Sequence, residues 1–200
     1  MMEAQATTQE PVNPWRAVWM RPREAVRAAL DHRPVWELYA LSVAGGFVMS
    51  LYQMDGSASL WEWLLISPVA GVLGLLWYSL IFGFSCLFFG GSAGPRAIQT
   101  AIAWALPPLL PILALSLLYF GLFGSVPFAR WGEPAGSAAE SLARSGFKNL
   151  SLVLLAWSGW IFFSGLAEVQ GFSFIRAVAS VLFPPILLAV AFLCLEWFVI

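Results

Sequence analysis

From residue 35 onward the chain is a succession of long apolar runs separated by short polar breaks. The runs cover about residues 35–54, 60–89, 97–123, 150–166 and 177–199. About 20 apolar residues, at ~1.5 Å each, cross a ~30 Å hydrocarbon core. The pattern therefore predicts five membrane-spanning helices, the second long enough to tilt or to kink near Pro68. The one long break, "GSVPFARWGEPAGSAAESLARSGFKN" at 124–149, starts with turn formers. It ends in Ala138, Leu142, Ala143 and Phe147, a spacing that predicts a short surface helix.

Ahead of the runs the pattern changes. Residues 1–12 are small and polar, which predicts a disordered tail. Residues 13–34 read "NPWRAVWMRPREAVRAALDHRP". Trp15, Val18 and Trp19 fall at helical spacing, as do Val26, Ala29 and Leu30, while Arg23, Arg27 and Asp31 repeat every four residues on another face. Pro22 suits a first helical turn, and Glu24 behind it favours a helix N-terminus. The pattern predicts two short amphipathic segments lying in the membrane interface, tryptophans toward the headgroups. The alternative is a helix packed against the bundle. Trp15, Trp19, Arg21, Arg23 and Arg27 are the candidate headgroup- or partner-binding residues.

Composition fixes the solvent. Sixty per cent of the residues are hydrophobic and ten per cent charged, too little polar surface for a soluble domain of 200 residues. The fold class is all-α: an integral membrane bundle of five helices over 35–200, preceded by the interfacial segment. A net charge of −1 leaves no basic surface for nucleic acid. The N-terminal stretch lacks a basic region followed by an apolar one, so no cleavable signal peptide is expected. An odd number of spans separates the termini. With the N-terminus inside, Arg16, Arg21, Arg23, Arg27, Arg33, Arg96 and Arg176 are cytoplasmic, against Arg130, Arg144 and Lys148 outside. That asymmetry predicts a cytoplasmic N-terminus and an external C-terminus. Cys86 and Cys194 then lie near opposite faces, beyond disulfide reach.

One motif occurs twice. "GPRAIQTAIAWALPPLLP" places Arg96 before a run broken by Pro107 and Pro108; "FIRAVASVLFPPILLA" places Arg176 before Pro184 and Pro185. The arginines are expected to anchor two spans at the headgroups. Each proline removes an amide donor and clashes with the carbonyl four residues earlier. The carbonyls of Ala103, Trp104, Ser180 and Val181 are thereby released, and in hydrocarbon they need a partner or a protein-buried setting. Both kinks are expected to face other helices or a small polar cavity. They are either packing devices or the walls of a binding site for a small molecule or lipid, as in repeat-built transporters.

Chemistry is sparse. Asp55, Glu62, Glu133 and Glu140 fall in outer loops or at an outer span end, Glu37 and Glu168 at inner span ends, and Glu196 at the outer interface. No carboxylate is placed at the midplane, where coupled carriers usually need one. The single histidine, His32, has no serine or metal-ligating cluster around it, and Gly90–Gly94 reads as a flexible turn. No enzyme, metal or cofactor is expected. Small residues at four-residue spacing, Ser42 with Gly46 and Ser67 with Gly71, beside Ala70 and Gly74, would allow close helix approach.

Three stretches, "NPWRAVWMRPREAVRAAL", "GGSAGPRAIQTAIAWALPPLL" and "GFSFIRAVASVLFPPILLA", together resemble the Yip family of Ypt/Rab-interacting five-span membrane proteins. The Asn-Pro-Trp start and the Trp19-x-Arg21-Pro22-Arg23 string are similar to the opening of prokaryotic members. The resemblance covers about residues 13–199. It implies a five-span bundle with a cytoplasmic N-terminus and, in eukaryotic relatives, trafficking with small GTPases and sibling proteins as partners. The N-terminal segment here is shorter than theirs, which points away from GTPase binding and toward a bacterial or archaeal inner-membrane protein. The expected partners are membrane lipids and a membrane protein or a second copy. The expected role is to organise the membrane or scaffold partners; the alternative is a channel or carrier using the proline kinks.

Overall fold

A computed structural model describes residues 12–51, 60–124 and 136–199. The tail expected over 1–12 lies outside it up to residue 11, as do the end of the first run, Asp55, Arg130 and Glu133. Every regular element described is helical. The elements are α1 (Pro14–Ala17), α2 (Pro22–His32), α3 (Val35–Leu51), α4 (Leu60–Phe88), α5 (Pro95–Ala103), a 3-10 turn (Pro107–Leu109), α6 (Leu110–Phe123), α7 (Ala138–Gln170) and α8 (Phe174–Val199).

Local chemistry sets these boundaries. Asn13 Oδ1 accepts the Trp15 N–H at 3.0 Å and Pro14 opens α1; Pro22 opens α2 with Glu24 in its first turn. The chain leaves α6 and α7 through Gly124 and Gly171, both at φ +67° in the left-handed region that glycine adopts freely. At the start of α7, Ser137 Oγ accepts the Glu140 N–H at 3.1 Å. The Glu140 carboxylate reaches back to the Gly136 N–H at 2.7 Å, a reciprocal cap.

Four helical segments are long and apolar enough to cross a membrane: Trp63–Phe88, Pro95–Phe123, Ala138–Gln170 and Phe174–Glu196. The fifth apolar helix, α3, has 17 residues, a little short of the usual span. The surface helix expected near residues 138–147 is not separate: α7 is one helix of 33 residues, ~50 Å long, and overshoots the hydrocarbon core by several turns. The polar stretch Arg144–Asn149 interrupts hydropathy but contains no proline to interrupt the backbone. Helix α4 runs through Pro68 without a break.

The α5–α6 segment is central. Ile98, Trp104, Leu109 and Ile112 are all fully buried, among side chains from α3, α4 and α7. The tightest crossing joins α3 to α4. A Cβ on Gly46 would fall 2.7 Å from the Gly71 Cα and nearer still to the Ser67 carbonyl; one on Gly71 would meet the Ser42 carbonyl. Ser50 and Ser67 share a 2.7 Å hydrogen bond at the same crossing. The four-residue spacing of small residues is therefore the seam of this pair, and Gly74, where a Cβ would meet only the Tyr78 ring at 3.9 Å, stands outside it. Helix α8 lies against α4 and α7, and from Ile186 to Glu196 it is exposed on all sides.

Candidate functional site: the arginine-rich end of the bundle

The end of α4, the starts of α5 and α8, the end of α7 and helices α1–α2 converge at one end of the molecule. Gln170 Oε1, in the last turn of α7, accepts the Ala93 N–H at 3.0 Å, tying the α4–α5 turn to the α7–α8 turn. Arg27 on α2 donates from Nε and Nη2 to Glu168 Oε1, tying α2 to the same end of α7. The hydrogen bond from Glu168, reinforced by its charge, holds the Arg27 guanidinium above its usual proton affinity.

The apolar face of α2 is occupied. Val18, Ala25 and Val26 are fully enclosed, clustered with Leu38, Ala101, Trp104 and Ile161 from the spanning helices. A Cβ on Gly165 would lie 2.9 Å from Val26 Cγ2, so α2 approaches α7 as closely as a glycine allows. This face therefore packs against the bundle, the arrangement of the packed alternative. Small residues explain the outcome: Ala25, Val26 and Ala29 offer little area to a bilayer but permit close helix contact.

Of the candidate residues, the structure splits the set. Trp15 packs edge-on against Trp104, ring centroids 5.0 Å apart, with part of its surface still open. Trp19 is similarly half-open, and Met20 beside it is 78% exposed. Arg21 makes an exposed 3.4 Å pair with Glu24, and Arg23 is exposed with no carboxylate partner among the described residues. Arg27 is instead committed to Glu168. Arg33 pairs with the buried Glu37 at 3.2 Å at the α2–α3 junction. Arg96 and Arg176 are both exposed at this end, Arg176 over the Phe172 ring at 5.7 Å.

The two proline pairs behave differently. Pro107 and Pro108 break the helix and are buried. The Leu106 N–H reaches the Ala103 carbonyl at 3.1 Å, and Ser158 Oγ on α7 donates to the Ala105 carbonyl at 2.7 Å. Pro184 and Pro185 sit inside a continuous α8, the first half-buried and the second exposed. The expectation that both pairs face other helices therefore fails at Pro185. The difference lies in Pro111, which makes three prolines in five residues in the first copy and has no counterpart in the second.

Sequence reasoning passed over Ser158, Gly165 and Gln170. Each matters through a partner distant in the chain, and none carries a local signal. No three His, Cys, Asp or Glu side chains gather as a metal site among the described residues. Both cysteines are free, Cys86 buried and Cys194 exposed.

Fold and surface together define a polytopic helical integral membrane protein whose described residues gather aromatic and basic side chains at one end. A Yip1 domain model matches residues 16–195, and the chain belongs to that family. The family is generally non-enzymatic. Neither a curated protein nor a solved structure matches the chain.

Proposed function

We propose that this Yip1-domain protein is a non-enzymatic organiser of its membrane, presenting α1, α2 and the turn between them as a fixed recognition platform. One observation carries the reading. The bundle consumes the apolar face of α2, yet Trp15, Trp19, Met20, Arg21 and Arg23 remain open on a segment anchored by Arg27 and Glu168. A preorganised surface binds without the cost of ordering a loop. Its occupants are lipid headgroups together with a membrane-protein partner or a second copy. The charge asymmetry supports a cytoplasmic N-terminus and an external C-terminus, and the opening motif supports a bacterial or archaeal inner membrane. The carrier reading draws no support from the proline pairs, because the 3-10 turn packs on α7, α6 and α3 whereas α8 packs on α4 and α7.

The test is native mass spectrometry of protein extracted gently from its own membrane. A stoichiometric protein companion, lost when Trp15 and Trp19 become Ala and Arg21 and Arg23 become Gln, is the expected result. Unchanged companions and unchanged membrane behaviour in that variant would refute the platform.

A further inference from the structure

We infer that the bilayer is thinned along the exposed flank of α7, which gives the membrane-organising role proposed above a physical means. The inference rests on the docked position of α1 and α2 that the platform also needs. Helix α4 exposes no charged or amide side chain from Leu64 to Phe88, an apolar band of ~36 Å. Such a band covers a ~30 Å hydrocarbon core with some tilt. Helix α7 is longer than α4, yet its exposed apolar side chains run unbroken only from Leu150 to Trp160. At ~1.5 Å per residue that band is ~15 Å. Leu142 stands apart from it, beyond the exposed Ser145, Lys148 and Asn149.

Both edges of the short band are fixed by the fold. At one edge Lys148 and Asn149 are exposed, and the Asn149 side chain is too short to reach a distant headgroup layer. At the other edge α1 and α2 take over. Ser158 Oγ donates to the Ala105 carbonyl at 2.7 Å, and the neighbouring Trp104 carries the Trp15 ring at 5.0 Å, so α1 stands level with Ser158. Ala17 and Val18 share one packed cluster with Ile161. Beyond Trp160 no residue of α7 is exposed; Val26 lies over Gly165, and Arg27 holds Glu168.

What α1 brings to that level suits headgroups and water, not acyl chains. Asn13 and Arg16 are exposed beside Trp15, and Trp19, Met20, Arg21 and Arg23 follow. Asn13 cannot stretch toward a distant interface, because its side chain caps the Trp15 N–H. On α7 the exposed Trp157 and Trp160 pack edge-on at 5.9 Å, the residue type that marks a headgroup boundary. Trp104 follows Pro95, the first residue of α5, by nine positions, so α1 stands ~13 Å along the bundle from that helix start. Headgroups drawn to both edges leave ~15 Å of hydrocarbon between them, about half the usual thickness. Tilting α7 would shorten the band further and cannot restore it.

The experiment attaches one nitroxide per chain at Val153→Cys, Leu73→Cys, Asn149→Cys or Met20→Cys, in the full chain with Cys86 and Cys194 changed to alanine. Each labelled protein is reconstituted alone in phosphatidylcholine vesicles, and its depth is read from collisions with oxygen against collisions with a water-soluble nickel chelate. The label at Leu73 on α4 is expected about 13 Å below the nearest headgroups, and the label at Val153 on α7 no deeper than ~8 Å. Labels at Asn149 and Met20 should meet the nickel chelate freely. A Val153 label as deep as the Leu73 label would overturn the thinning. So would a label at Asn149 or Met20 that is sheltered from nickel, since an edge of the band would then lie inside hydrocarbon. The vesicles hold no companion protein, so a deep Val153 label would leave the platform's partner standing, and a platform without a partner would leave the depths as they are. All four positions are exposed, and an unshifted melting temperature checks that each labelled chain is folded.

Discussion

Replacing Gly165 with leucine should lift α2 off the bundle. The Cβ alone would stand 2.9 Å from Val26 Cγ2 and 3.5 Å from the Ala101 Cβ, and the rest of the side chain has nowhere to go while α2 is docked. Overpacking of a tight contact costs about 1–3 kcal/mol. Relief by undocking instead forfeits the burial of Val26, fully enclosed, at about 1.5–3 kcal/mol. Either route destabilises the docked state by about 2 kcal/mol, a shift of roughly 30-fold in the local opening equilibrium at 1.4 kcal/mol per decade. Amide hydrogen exchange in lipid nanodiscs reads this directly, since opening of a docked helix is a sub-global event. Amides from Ala25 to Leu30 should exchange about 30-fold faster, while those in α4 stay as they were. Gly159→Leu on the same helix is the control: nothing lies within 4 Å of a Cβ there, and α2 exchange should not change. Unchanged exchange in the Gly165 variant, or equal acceleration in both, would refute the docking of α2 on α7.

Valine at Gly46 or Gly71 should abolish accumulation of folded protein, because a Cβ at either meets backbone that cannot swing aside; Gly74→Val should be recovered at wild-type yield after mild extraction. Ser158→Ala strands the Ala105 carbonyl without its 2.7 Å donor and should cost about 1–3 kcal/mol, seen as a lower melting temperature in detergent. An unshifted transition would mean that the helix break needs no cap from α7.

Much of the architecture was readable because hydropathy reports depth. The apolar runs mark where helices lie in the membrane, and the Ser42/Gly46 and Ser67/Gly71 spacings mark where two of them cross. Depth is not backbone, however. Arg144 to Asn149 lower the hydropathy while the helix of α7 continues through them, so the boundary of an apolar run is not the boundary of a helix. The matching proline pairs misled for a related reason. A pair alone can be absorbed in a helix, as in α8, and the third proline at 111 together with a cap from Ser158 turns the other into a break. The amphipathic pattern of residues 13–34 marks two helices, and the structure packs the apolar side of the second against the bundle. Amphipathicity says that one face is buried; the glycine that receives it sits 139 positions later at 165, beyond the reach of any local pattern.

A designed disulfide tests most directly whether α1 and α2 are a fixed part of the bundle. Val26→Cys and Gly165→Cys, in a chain whose Cys86 and Cys194 are alanine, place two Cβ atoms within about 4.5 Å, the separation a disulfide spans. The valine methyl that crowds Gly165 is removed by the first substitution, so the pair fits the docked state. Mild oxidation in the native membrane should close the bond within one chain in nearly all molecules, and the reduced thiol at 26 should resist water-soluble maleimides. Ready labelling at 26 with no cross-link to 165 would contradict a docked platform and leave α2 a free interfacial helix.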